Sequence, residues 1–357
     1  MDFQPRLPLR RSLLLSGLAG LCGVPVASAL PARSLQFPRD FGSHPDFRTE
    51  WWYITGHARA GAREFGFQLT FFRSRIESAQ AMHSKFAAKQ VIFAHAAVTD
   101  VAGKKLWHDQ RVAREGFGLA QASETDTDIR LRDWSLVRSQ QHYAAKLPGD
   151  DFSLDLRISE TQPVLLQGDK GLSRKGPDAR QASYYYSQPQ LAVAGRLQIR
   201  GDKFEVAGKA WADHEWSQEL MHPQAVGWDW IGMNLDDGSA LTAFRLRDKE
   251  GRTLWDGGSF RSPKGDLYIA SKGEVVFSPQ RRWKSPASQA SYPVEWIVRT
   301  PGDFYTVKAV VDNQELDSRA STGAIYWEGL SELFGSNGQR VGRGYLEMTG
   351  YAQPLRL

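Results

Sequence analysis

The feature that most constrains the fold of this chain is a long series of short segments in which apolar and polar residues alternate. In the segment REFGFQLTFFR, Phe65, Phe67, Leu69 and Phe71 fall on one face, because successive side chains of a strand point to opposite sides of its sheet. Similar segments recur along the chain, and each is bounded by Gly, Pro, Asp or Asn, which favour turns. We therefore predict an all-β protein.

The spacing of these segments narrows the fold class further. Further examples are QVIFAHAAVTD, DFSLDLRISE, QLAVAGRLQIRGDKFEVAGKAWADHEW, WDWIGMNLDDGSALTAFRLRD, VEWIVRT and GRGYLEMTGY. Many short strands at close spacing predict barrels or sandwiches, whereas a parallel α/β sheet would need helical patterns between the strands. Only ESAQAMHSKFAAKQ, from Glu77 to Gln90, favours a helix, and we expect it to cover an opening or an edge.

The N-terminal residues have the pattern of an export signal. Arg10 and Arg11 precede a short apolar stretch that ends on the small residues ASA at positions 27–29, a typical cleavage pattern. We predict a twin-arginine-type signal peptide over residues 1–29 and a periplasmic or secreted protein. An uncleaved N-terminal anchor is the alternative.

Composition limits the possible partners. The single cysteine, Cys22, lies inside the predicted signal, so the rest of the chain has no disulfide, thiolate nucleophile or cysteine metal ligand. The formal net charge is only +5, and arginines of the predicted signal supply part of it. This is no nucleic-acid signature, and we predict that the one basic cluster with an aromatic residue, RRWK at 281–284, is a solvated loop.

Several common catalytic motifs are missing from the sequence. It has no Gly-x-Ser-x-Gly elbow, no His-Glu-x-x-His, no phosphate-binding loop and no dinucleotide fingerprint. A zinc site made by His57, His95 and His214 has no support from their spacing. We therefore expect no cofactor and no metal.

The length of the chain permits two domains. We place a hinge in ELMHPQAVG, residues 219–227, which divides the protein into an N-terminal domain over 41–222 and a C-terminal domain over 223–355. No low-complexity linker marks the junction, so we expect the domains to pack tightly against each other.

The segment WADHEWSQ combines acid, base and indole side chains. In a strand, His214 and Trp216 would share one face, and Trp211, Asp213 and Glu215 would share the other. A carboxyl surrounded by indole rings has a raised pKa, which makes it a proton donor near neutral pH. The alternative is that Asp213 and His214 form a hydrogen-bonded pair that closes the domain junction.

Further aromatic runs could line a ligand cavity, although most aromatic residues in proteins are core. In GWDW, two indoles lie together and Asp229 points the opposite way. We take Asp213, His214, Trp216 and Asp229 as the candidate catalytic residues. The candidate ligand-binding residues are Trp52, Tyr53, His95, Tyr185, Trp228 and Trp230.

These motifs together resemble the CrtC/AttH family. RTEWWYITGH, FGFQLTFFR, YYYSQPQLAVAGRL, GKAWADHEWS, GWDWIGMNLDDG, FRLRD and GRGYLEMTGY carry the resemblance, which runs from about Phe41 to Tyr351. The family includes carotenoid 1,2-hydratases and exported proteins named secreted hydrolases. The resemblance implies two tandem lipocalin-like, or calycin-like, β-barrel domains with a ligand cavity at or near their interface.

The resemblance also implies an activity. Carotenoid 1,2-hydratases add water to the terminal isoprene double bond of an acyclic carotenoid without a cofactor, and a His-x-Trp pair and an aspartate are implicated. His214 and Trp216 match the pair, and the aspartate is Asp213 or Asp229. The DHEWS and GWDW motifs are those of the AttH-like branch, which weakens the case for a carotenoid substrate.

We therefore expect an exported protein that binds an apolar lipid or isoprenoid molecule. As an enzyme it would be a hydratase (hydro-lyase) or an isomerase, with Asp213 or Asp229 as the proton donor. His214 would orient the acid or activate water, and Trp216 would line the cationic centre. Two alternatives stay open. One is a non-catalytic periplasmic carrier that hands lipid to a membrane transporter of ABC type, and the other is a secreted hydrolase.

Overall fold

The computed structural model describes residues 29–355, and within them the protein is built almost entirely from antiparallel strands. Two 3-10 helices, Arg39–Phe41 and Glu77–Ala79, are the only helices in this part of the chain. Neither has the length and apolarity needed to cross a membrane. The all-β prediction is confirmed. The predicted signal, with Arg10, Arg11 and Cys22, lies outside the described residues apart from its last position.

The first sheet has thirteen strands. They are β1 (Thr49–Ala60), β2 (Arg63–Arg75), β3 (Gln90–Asp100), β4 (Lys105–Arg114), β5 (Ala120–Ala122), β6 (Asp128–Leu131), β7 (Trp134–Ser139), β8 (His142–Pro148), β9 (Phe152–Ser159), β10 (Leu165–Leu166), β11 (Leu172–Arg174), β12 (Ala182–Ile199) and β13 (Asp202–Glu219). Their order is β4-β3-β2-β1-β13-β12-β9-β8-β7-β6-β5, and β10 and β11 pair with β12. Because β3 and β4 also approach β6, the sheet is a nearly closed barrel.

The second sheet has ten strands. They are β14 (Gly227–Leu235), β15 (Ala240–Arg247), β16 (Thr253–Arg261), β17 (Leu267–Ala270), β18 (Val276–Pro279), β21 (Glu295–Arg299), β22 (Phe304–Ala309), β23 (Glu315–Ser318), β24 (Ala324–Phe334) and β25 (Arg340–Met348). Their order is β17-β16-β15-β14-β25-β24-β22-β21-β18, with β23 paired to β24. The strands β19 (Arg282–Lys284) and β20 (Ser291–Pro293) form a separate hairpin, so the RRWK segment predicted as a loop is partly a strand.

The second sheet curves around an apolar core of its own, because strands towards both ends of its order, such as β15 and β18, contribute to one buried cluster, and we call it the second barrel. The first barrel likewise encloses an apolar core, as the alternation in the sequence predicts. Phe65, Phe67, Leu69 and Phe71 of β2 all lie in the core of the first barrel. Trp296 and Trp327 belong to that of the second. The chain passes from one sheet to the other between Glu219 and Gly227. The predicted boundary at 222/223 falls in this connection, and separate folding of the two parts stays a prediction.

The barrels pack directly against each other. A third apolar cluster joins Tyr53 and Trp211 of the first barrel to Trp230, Leu330 and Tyr345 of the second. The contact is close enough that a Cβ atom on Gly66 of β2 would lie 2.7 Å from the hydroxyl oxygen of Tyr345. Hydrogen bonds add specificity, because Asn234 Oδ1 accepts from the backbone N–H of Gln190 at 2.7 Å.

The segment from Glu77 to Gln90, predicted as a helix, is instead an exposed loop that begins with one 3-10 turn. Its ends are held together because the N–H of Ile76 donates to the carbonyl of Lys89 at 2.9 Å. Met82 and Phe86 are exposed, so no apolar helical face is buried. Isolated helices of this length are marginal without such burial, and this is why the helix prediction was wrong.

Candidate active site between the two barrels

A cavity of about 380 Å³ lies between the two barrels. Strands β1, β2, β3, β12 and β13 form one wall, and β14, β15, β24 and β25 form the other. Most of the lining is apolar or aromatic, and the rings are Trp51, Tyr53, Phe72, Phe93, Tyr185, Trp228, Trp230, Phe244 and Tyr326. A concave apolar site with a few convergent polar groups is the usual form of a small-molecule site.

The carboxyl of Asp213, in the C-terminal half of β13, lines this cavity. It accepts hydrogen bonds from Tyr185 Oη at 2.7 Å, from Ser187 Oγ at 2.5 Å and from Trp211 Nε1 at 2.7 Å. All three partners are neutral. Burial raises the pKa of Asp213 to about 7, although these hydrogen bonds favour the carboxylate. Asp213 can therefore hold or release a proton near neutral pH.

Two further carboxyls lie side by side on the opposite wall of the cavity. Glu328 of β24 and Glu347 of β25 are direct partners in the strand register, and both line the cavity. Glu328 is only 2% exposed, and its Oε1 atom has no hydrogen-bond partner. Burial and the neighbouring charge of Glu347 raise the pKa of Glu328 well above its usual range. The pKa of Glu347 is raised by burial and by the charges of Asp213 and Glu215.

Glu215, another carboxyl of the cavity lining, differs from these three because it has a cationic partner. Lys175 Nζ lies 3.1 Å from Glu215 Oε1, which also accepts a hydrogen bond from Ser183. The Lys175 ammonium also lies 4.2 Å from the centre of the Phe244 ring. Glu215 is thus paired with a cation, whereas Asp213, Glu328 and Glu347 share a region of low polarity in which a neutral acid is favoured.

The cavity brings together six of the residues selected from the sequence. They are Tyr53, His95, Tyr185, Asp213, Trp228 and Trp230. The ring of His95 is hydrogen-bonded on both sides, to Tyr326 Oη at 2.8 Å and to Ser321 Oγ at 2.8 Å. Burial lowers the pKa of His95 to about 3, so its imidazole is neutral.

His214, Trp216 and Trp52 lie on the other side of the same strands. His214 Nε2 is 2.9 Å from Glu50 Oε1, and the imidazole stacks on Trp52. Trp216 stacks on His44, with 3.8 Å between ring centres. Burial lowers the pKa of His214 to about 4 in spite of the nearby Glu50 carboxylate. Because neighbours on a strand point to opposite faces, His214 does not contact Asp213.

His44, Glu50 and His214 are also the one group of metal-type ligands found among residues 29–355, with donor atoms within 4.8 Å of one another. Their donor atoms already serve a hydrogen-bond network, since His44 Nδ1 is 2.7 Å from Glu50 Oε1. The Arg73 guanidinium lies against the second oxygen of Glu50 at 2.8 Å and would repel a metal cation. We call residues 30–48 the N-terminal strap. We infer that this hydrogen-bond network holds the N-terminal strap against the first barrel. His57, His95 and His214 do not meet.

Asp229 points into the second barrel, away from the cavity. Its carboxyl is fully buried, and Arg245 Nε and Tyr351 Oη donate to it at 2.7 Å and 2.9 Å. Arg247 lies 3.4 Å away and adds a second positive charge. The carboxyl is thus paired with two guanidinium groups, and the Trp228 and Trp230 rings on either side of it in sequence face the cavity.

Sequence reasoning missed Glu328 and Glu347. Both occupy strand positions whose alternating neighbours are apolar or aromatic, as in AIYWEGL and GYLEM. An acid on an otherwise apolar strand face was the available signal. It could have selected both residues, but it could not have predicted that they lie opposite each other.

The carboxyl pair predicts a pH-dependent stability. The folded pKa of Glu328 lies above its unfolded value, so its contribution to stability is complete below about pH 4 and is lost as the pH rises toward the folded pKa. The free energy of unfolding of Glu328→Gln, relative to that of the wild type, should therefore be greater at pH 8 than at pH 5. Chemical unfolding at both pH values measures this, with the exposed Glu205→Gln as control. An equal difference at both pH values would contradict it.

Comparisons with known proteins agree with this architecture. The sequence profile of the AttH-like family matches residues 28–351. The crystal structure of a Nitrosomonas europaea protein, described provisionally as AttH, has a TM-score of 0.85 and 45% identity, covering 91% of this chain and 100% of that one. Kievitone hydratase from Nectria haematococca has a TM-score of 0.68 and 13% identity, covering 90% and 94%, a likeness of fold alone. No curated protein matches this chain.

Proposed function

This chain belongs to the AttH-like family, and we propose that it is a hydratase-type enzyme that adds water to an isoprenoid carbon–carbon double bond. The reaction would take place in the cavity between the barrels, on an apolar ligand. We further propose that the protein acts after export, in the periplasm or outside the cell, as its N-terminal pattern predicts.

One observation carries the proposal. The cavity combines an apolar, ring-lined wall with three carboxyls that have no cationic partner, the buried Asp213 and Glu328 and the half-buried Glu347. Water addition to an alkene needs a neutral acid that can protonate carbon and a base that can accept a proton from water. Carboxyls with raised pKa values can supply both near neutral pH, because one can be protonated while another is ionised.

The proposed steps balance without a further reactant. Asp213 donates its proton to the less substituted alkene carbon, so a C–H bond forms as the π bond breaks. The tertiary cation lies against the rings of Trp228 and Trp230, whose faces attract cations. Water then forms a C–O bond, and its proton passes to the ionised member of the Glu328 and Glu347 pair. Exchange with solvent returns a proton to Asp213. The three donors on Asp213 stabilise its carboxylate after transfer.

The test is direct detection of water addition. The protein is incubated with an acyclic carotenoid or with kievitone in ¹⁸O-labelled water, and products are analysed by mass spectrometry. Kievitone is included because a structural neighbour is named as its hydratase. We expect a product heavier by one labelled water, formed faster at pH 6 than at pH 8 because Asp213 must be protonated. Formation of that product at an equal rate without the protein would reject the proposal.

A non-catalytic carrier is the second candidate, and the predominantly apolar lining of the cavity favours it. Native mass spectrometry of the protein purified from its host separates the two. A carrier would retain a lipid whose mass is unchanged on release, and would form no labelled product from either probe. An enzyme would release a product whose mass differs by one water.

A further inference from the structure

The loop that leaves the cavity rim carries an exposed apolar surface. Ile76 and Val91, on either side of residues 77–90, line the cavity. Beyond them Phe86 is 64% exposed and Met82 52% exposed. The turn before β5 lies beside the loop and exposes Phe117 at 55%. The Phe86 and Phe117 rings stack, with 5.5 Å between centres and 11° between planes. We call Met82, Phe86, Val112, Phe117 and Leu119 the rim patch.

Positive side chains surround the rim patch. The Arg114 guanidinium lies 4.0 Å from the centre of the Phe117 ring, and Lys85 Nζ lies 5.5 Å from that of Phe86. Arg114 and Arg132 direct their hydrogen bonds to backbone carbonyls, those of Lys85 and Val112. Glu115 is an exposed acid within this surface, and partial burial of its carboxyl raises its pKa.

Exposed aromatic rings surrounded by cationic side chains are complementary to the surface of an anionic lipid bilayer. Apolar side chains enter the boundary between headgroups and acyl chains, while lysine and arginine contact lipid phosphates. Ordinary surfaces expose large apolar residues singly, and a contiguous group beside a ligand cavity marks an interaction site. We propose that the rim patch docks the protein on an anionic membrane with the cavity rim close to the lipid.

This inference does not depend on the chemistry in the cavity. An enzyme and a carrier would both gain from collecting an apolar ligand at the membrane, because such a ligand is scarce in water.

Vesicle co-sedimentation tests the inference. Full-length protein is mixed with vesicles of phosphatidylglycerol and phosphatidylcholine, or of phosphatidylcholine alone. We expect binding to the anionic vesicles that weakens with salt. Phe86→Ser with Phe117→Ser should lower the binding at least tenfold. Each of Lys85→Gln and Arg114→Gln should lower it by about fivefold. Phe304→Ser, which removes a ring 49% exposed on the second barrel, is the matched control and should bind as the wild type does.

Residues 1–28 are the same in all variants, so differences between variants report on the rim patch. Equal binding by the wild type and the double phenylalanine variant would overturn the inference, as would equal binding to both kinds of vesicle. Loss of self-association, measured by gel filtration, without any change in vesicle binding would identify the patch as a protein interface instead. Unfolding curves of the variants should match the wild type, because both rings are exposed.

Discussion

Replacing Asp213 by asparagine is expected to slow water addition by about 10²- to 10⁴-fold, the usual range for loss of a general acid. The amide has nearly the same shape as the carboxyl and can still accept hydrogen bonds from Ser187 and Trp211. It cannot donate a proton to carbon. Ligand affinity should therefore change little, while the rate of the labelled product falls.

The pH profile gives a second readout of the same group. Wild-type turnover should decrease as the pH rises through about 7, since the protonated form of Asp213 is then lost. Residual turnover of the variant should lack this step. The control is Asp202→Asn, an exposed acid at the start of the same strand, which should behave as the wild type. An Asp213→Asn variant with unchanged turnover would show that Asp213 is not the acid.

Replacing Arg73 by methionine is expected to reduce the free energy of unfolding by about 3 to 5 kcal/mol, as is usual when one partner of a buried ion pair is removed. Arg73 is 2% exposed and donates to Glu50 Oε2 at 2.8 Å. It also donates to the carbonyls of His44 and Phe47 in the N-terminal strap, at 2.8 Å and 2.9 Å. Methionine fills part of the volume of the arginine side chain, but it leaves the buried Glu50 carboxylate without its guanidinium partner.

Denaturant unfolding measures this change as a lower midpoint. Arg130→Met removes an exposed arginine that also pairs with an acid, Asp128, and should change stability by less than about 1 kcal/mol. Combining Arg73→Met with Glu50→Gln should recover part of the loss, because the unpaired charge is then absent. A loss below about 1 kcal/mol for Arg73→Met alone would mean that the remaining donors to Glu50 suffice.

The two parts of the predicted site differ in how well sequence could place them. Alternation along WADHEWSQ correctly separated Asp213 from His214, because the period of a strand is fixed by its backbone. It could not indicate which face meets the cavity. Asp229 seemed equivalent to Asp213 in sequence, yet it pairs with Arg245 and Arg247, which follow on β15 and face the same barrel interior.

The sequence by itself determined the strands, their inward faces and the family, because these depend on local alternation and on motifs read in order. The tertiary structure alone decided that Asp213 faces Glu328 and Glu347 across a cavity, and that residues 77–90 stay open. Those outcomes depend on which strand faces meet between the barrels and on how far burial disfavours charge. The meeting of strand faces and the extent of burial both depend on residues that are distant in the chain, so local sequence patterns cannot predict them.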